Sequence, residues 1–100
     1  MVHIPVHVLP SGMRSRTRFT GRVQGVGFRA TTRSIALRHR ATGWVRNEPD
    51  GSVLAEVQGS PPQVEGVLAA IREAFQGLLH GEDRSTVSDD PEERSFEIRP

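Results

Sequence analysis

The chain has 100 residues, 35% apolar and 25% charged, with no cysteine; that suits one domain with a modest core, and excludes disulfide support and thiolate metal sites. Net charge is only +1, but every charged residue up to Asn47 is an arginine and all 12 acids follow it, a polarity that favours an anionic partner, either a phosphorylated small molecule or nucleic acid. No window approaches the roughly 20 apolar residues that span a bilayer, and Met1-Val2-His3-Ile4-Pro5 lacks a basic stretch ahead of an apolar one, so a cytoplasmic protein without a membrane partner is expected.

Residues 1–15 mix a short apolar alternation at Ile4, Val6 and Val8 with Pro5, Pro10 and Gly12. They read as an N-terminal extension to a domain over 16–100, with Met13 as an alternative start. His3 and His7 have the spacing of a helical metal pair, but Pro5 lies between them and no acidic or Cys ligand is near, so no metal is expected.

Alternation over Arg16 to Val23 predicts a first strand, which glycines at 21, 25 and 27 interrupt before a helix from Phe28 to about His39. Thr42 to Asn47 and Ser52 to Gln58 read as a β-hairpin across Glu48-Pro49-Asp50-Gly51. In its second strand Val53, Ala55 and Val57 share one face, which should meet the core, and Leu54, Glu56 and Gln58 share the other. Trp44, beside a glycine in a strand, reads as a packing residue.

Ser60, Pro61 and Gln63 form an N-cap, a first-turn proline and a capping box. Behind them Val64, Val67, Leu68, Ile71, Phe75 and Leu78 make one helical stripe, despite a cost of about 1 kcal/mol at Gly66. From Gly81 to Glu93 the chain turns polar; a fourth strand is expected around Ser85-Thr86-Val87, and Asp89-Asp90-Pro91-Glu92-Glu93 reads as a solvated turn. Ser95 to Arg99 closes the series as a terminal strand. The order β-α-β-β-α-β predicts an α+β, ferredoxin-like split βαβ sandwich, with two helices on one face of a four-stranded antiparallel sheet.

Chemistry concentrates in two segments. Gly21-Arg22-Val23-Gln24-Gly25-Val26-Gly27-Phe28-Arg29 bends from a strand into a helix, where orphan amides and the helix dipole suit an anion and Arg29 adds a planar fork for phosphate oxygens. Gly43-Trp44-Val45-Arg46-Asn47 ends at the hairpin turn. The Asn47 amide is commonly a turn group, yet it can accept from water through oxygen and donate to phosphate through nitrogen.

GRVQGVGFR over 21–29, followed by TGWVRNEPDG over 42–51, resembles the two signature segments of the acylphosphatase family. The resemblance covers roughly Arg16 to Leu78, with the last strand more loosely. It implies the same α/β sandwich and hydrolysis of acyl phosphates to carboxylate and inorganic phosphate, by water attacking phosphorus, without metal or cofactor. It implies a phosphate-binding loop at Gln24, Gly25, Val26, Gly27, Phe28 and Arg29, with Arg29 essential for phosphate binding and Asn47 orienting the water. The implied partner is a small-molecule acyl phosphate; no nucleic-acid partner is expected, and a monomer is expected.

Two departures from the family pattern stand out. His39-Arg40-Ala41 replaces the glycine that usually ends the first helix, so a left-handed Arg40 should cost about 1 kcal/mol. Gly77 to Arg84 replaces a Gly-Pro and an apolar run. Two other functions compete with hydrolysis. One is a noncatalytic module serving a partner that uses carbamoyl or acyl phosphate, as at the start of the large carbamoyltransferases that mature hydrogenases. The other is RNA binding on a ferredoxin-like sheet, which five aromatic residues with no aromatic-rich strand poorly support.

Overall fold

The computed structural model describes residues 12–100. The expectations for residues 1–11, including those for His3 and His7, fall outside the described residues. The elements are β1 (Met13–Gly21), α1 (Phe28–Arg38), β2 (Thr42–Asn47), β3 (Val53–Gly59), α2 (Pro61–Ala74), β4 (Leu79–Thr86) and β5 (Phe96–Arg99). The strands form one sheet in the order β4-β1-β3-β2-β5. The first four pair antiparallel, which is the expected split βαβ arrangement.

Strand β5 adds a fifth member, parallel to β2 with Val45 opposite Ile98. The expected sheet had four strands and was wholly antiparallel; its sandwich class stands, and the difference is this parallel edge. A four-residue segment pairs there because Phe96 is buried beneath α1 and the Gly43 amide donates to the Ser95 carbonyl at 3.0 Å. Strand β1 also begins earlier than expected, at Met13, since Met13–Ser15 pair with Gly59–Val57 of β3.

Helix α1 packs on β2 and β5, α2 packs on β3 and β1, and the helices touch each other. Between helices and sheet lie Phe19, Val23, Phe28, Ile35, Val45, Val53, Val57, Val64, Leu68 and Ile71, all buried. Val53, Ala55 and Val57 therefore face the core as their alternation requires. Where the helices meet, a Cβ on Gly66 would press on the His39 ring at 2.8 Å, so the glycine that weakens α2 in isolation makes room for the end of α1.

Helix α2 starts as its sequence specifies. Ser60 accepts from the Gln63 amide, and the Gln63 side chain accepts from the Ser60 amide at 2.7 Å. Helix α1 ends on Arg40, whose φ is 57°. The Ala41 amide donates to the Ala36 carbonyl at 2.9 Å and the Arg40 amide to Leu37 at 3.1 Å, which closes a Schellman motif around a non-glycine residue.

Among the described residues no helix covers the opposite sheet face. There Arg14 is buried and donates to Glu56 at 2.7 Å and to Glu93 at 2.8 Å, while Arg16 donates to the second Glu56 oxygen at 2.7 Å. Burial alone would raise the Glu56 carboxyl pKa, but the hydrogen bonds from Arg14 and Arg16 outweigh it and hold the group below its ordinary value. The stretch expected to be a solvated turn thus folds back on the sheet: Glu93 pairs with Arg14, and Gln58 binds the Asp90 backbone through both its amide atoms. Trp44 is buried as expected, but on this face, flanked by the guanidiniums of Arg46 and Arg99 at 4.9 and 4.7 Å from the ring centroid.

Candidate active site

Strand β1 ends at Gly21, and the chain crosses to α1 through residues 22–27. The Arg22 amide fastens the start of this loop to the Leu78 carbonyl at 2.9 Å, and Val23 is buried in the core. Gly25 and Gly27 have φ of 77° and 78°, a left-handed backbone that costs a side-chain-bearing residue about 1 kcal/mol or more. Gly27 is the N-cap of α1 and supplies no side-chain acceptor, so the first-turn amides lack an intrahelical partner. Phe28 anchors that turn by packing on Phe19 and Phe75, with ring centroids 5.1 and 4.5 Å away.

A hollow of about 210 Å³ opens at this helix end. Gly25, Gly27, Phe28, Arg29 and Ala30 supply one side, Asn47 and Ile98 another, and Val23 also lines it. The structure therefore brings Arg29 and Asn47, distant in sequence, to one cavity. Gln24 and Val26, the other expected loop residues, do not line it. Val26 is exposed, and the Gln24 side chain turns to the hairpin, donating to the Glu48 and Ser52 carbonyls at 2.8 Å each.

Arg29 is half-buried and donates to the Arg99 carbonyl at 3.2 Å. Among the described residues no carboxylate pairs with it, whereas the hairpin acids are engaged elsewhere: Glu48 with Arg46 at 2.9 Å, and Asp50 with Arg18 at 3.5 Å. The Asp50 carboxyl lies below its ordinary pKa chiefly because the Ser52 side chain and amide donate to it. The hollow thus combines an uncompensated guanidinium, a helix N-terminus and a neutral amide, an electrostatic setting for an anion with a polar group beside it.

Ile98 and the Arg99 carbonyl were not expected at the site. They arrive through the parallel pairing of β5 with β2, and no local residue pattern in the sequence announces that pairing. Among the described residues no three His, Cys, Asp or Glu side chains gather as a metal-holding group.

The acylphosphatase family profile matches residues 15–98. This chain belongs to the acylphosphatase family. A stretch of 60 residues is 53% identical to an acylphosphatase from Salinibacter ruber, covering 60% of this chain and 63% of that relative. Another of 81 residues is 47% identical to an acylphosphatase from a Synechococcus species, covering 80% of this chain and 85% of the relative. The fold superposes on the crystal structure of acylphosphatase from Bacillus subtilis with a TM-score of 0.81 at 26% identity, covering 88% of this chain and 99% of that one. Both signature segments that carried the resemblance contribute residues to the lining of the hollow.

Proposed function

We propose that this acylphosphatase-family chain hydrolyses acyl phosphates to a carboxylate and inorganic phosphate. The observation that carries the reading is the convergence of Arg29, Asn47 and the N-terminal turn of α1 on one hollow. The phosphoryl group sits on the first-turn amides, with the Arg29 guanidinium forking two of its oxygens. The Asn47 side-chain oxygen accepts from the attacking water and its nitrogen donates to a phosphoryl oxygen.

The water oxygen bonds to phosphorus as the bond from phosphorus to the acyl oxygen breaks. The electron pair leaves with a carboxylate, a weak base that needs no proton from the protein. The water proton passes to a phosphoryl oxygen, giving inorganic phosphate. Catalysis is then positioning plus charge stabilisation, roles a guanidinium and oriented amides can fill without a metal ion.

The reading extends to a monomeric, cytoplasmic enzyme with a small-molecule substrate. Among the described residues no helix is long and apolar enough to cross a membrane. A small-molecule substrate rather than nucleic acid is supported by the sheet face opposite the helices, where Arg14, Arg16, Arg18 and Arg46 are tied to carboxylates and Trp44 is covered, so that among the described residues little is left to stack on bases.

Phosphate release from a small aryl acyl phosphate, with EDTA present, tests the roles. Asn47→Ala should lower kcat about 10²-fold with inhibition by phosphate retained. Arg29→Ala should lower kcat/KM about 10²- to 10³-fold and abolish that inhibition. If both folded variants turn over like wild type, the assignment fails.

A further inference from the structure

Gln24 lies in the cradle loop, yet its side chain faces the hairpin. A carboxamide nitrogen has two N–H donors, and both are used: one on the Glu48 carbonyl and one on the Ser52 carbonyl, each at 2.8 Å. Those carbonyls stand at the two ends of the β2–β3 turn, immediately beyond Asn47 and immediately before Val53. The turn is already closed by the Glu48 amide on the Ser52 carbonyl at 2.9 Å, so Gln24 grips a preformed unit.

We propose that Gln24 is a positioning residue that joins the phosphate loop to the Asn47 hairpin, so that the bound phosphorus and its attacking water keep a fixed separation. The proposal rests on the hydrolytic reading above. The Arg22 amide fastens the start of the loop to the Leu78 carbonyl and Val23 is buried in the core, whereas beyond Gln24 the left-handed glycines at 25 and 27 leave the run into α1 with little restraint of its own. Asn47 sits on a different element from Arg29, and the two must hold to within a fraction of an ångström for in-line attack. A displacement of about 1 Å costs on the order of 10²-fold in rate. The Gln24 carboxamide closes the loop onto the element that carries Asn47.

The test compares Gln24→Leu and Gln24→Glu with wild type, and with Gln63→Ala, which loosens the remote α2 capping box as a stability control. Gln24→Leu should lower kcat about 10- to 100-fold while inhibition by inorganic phosphate changes by no more than about twofold. Gln63→Ala should lower Tm without that loss of kcat. In Gln24→Glu a carboxylate opposes two carbonyls; its protonated form regains one donor, so its rate relative to wild type should rise as pH falls from about 7 to about 5.

Equal losses of kcat and phosphate binding in Gln24→Leu would place Gln24 in the cradle itself and overturn the proposal, as would an unchanged kcat. If wild type releases no phosphate, the hydrolytic reading fails, and amide hydrogen exchange over residues 47–52 tests the tether separately. Faster exchange in Gln24→Leu than in wild type supports it, and unchanged exchange overturns it.

Discussion

Arg40 is the residue where local strain is plainest. A φ of 57° at a position that usually takes glycine costs about 1 kcal/mol, and the residue lies at the far end of α1 from the hollow. Arg40→Gly should raise stability by about 1 kcal/mol, read as a Tm increase of roughly 4–8 °C, with kcat unchanged. Thr32 is a second such position, its buried hydroxyl lacking a partner among the described residues. Thr32→Val keeps the shape and removes the unsatisfied group, so a gain of about 1 kcal/mol is expected in a denaturant melt. Arg40 was legible from the sequence because the missing glycine is a local departure. The Gln24 contacts were not, because they reach partners set only by the tertiary fold.

Among the elements, α2 and β4 mark the two extremes of legibility. The start of α2 is written in adjacent residues, and Ser60→Ala should cost about 1 kcal/mol by unfolding in urea. Strand β4 carries almost no apolar alternation, which is why only Ser85-Thr86-Val87 was expected, yet it runs from Leu79 to Thr86. Its register comes from backbone pairing with β1, and its charges act on neighbours: Arg84 pairs with Glu65 and Glu82 with Arg72, at 2.7 and 2.8 Å. An exposed edge strand satisfies its backbone along one side and has no need of a hydrophobic pattern. Strand β5 was expected as a segment, but its parallel pairing depends on where the chain returns after the acidic loop. The Arg29 and Asn47 assignments needed no such knowledge, since each belongs to a contiguous signature segment.

At the scale of the whole molecule the two sheet faces do different work. One is covered by helices and ends at the hollow; the other is held by the network around Glu56. The Glu56 carboxyl is depressed in the folded state, so the unfolded chain binds its proton first as pH falls below about 4.5. Its contribution is present above that pH and is lost as pH drops through the lower folded pKa. Thermal melts from neutral to acid pH should show this decline, and Glu56→Gln should flatten it. Glu65, lowered chiefly by hydrogen bonding from Arg84, adds to the same trend from the surface.

The most direct measurement is hydrolysis of a small aryl acyl phosphate by the wild-type chain, in water labelled with heavy oxygen and with EDTA present. Rapid turnover that places the label in inorganic phosphate is predicted, because water attacks phosphorus and the acyl oxygen departs unchanged. Label in the carboxylate, or turnover no faster than in buffer, would contradict the account.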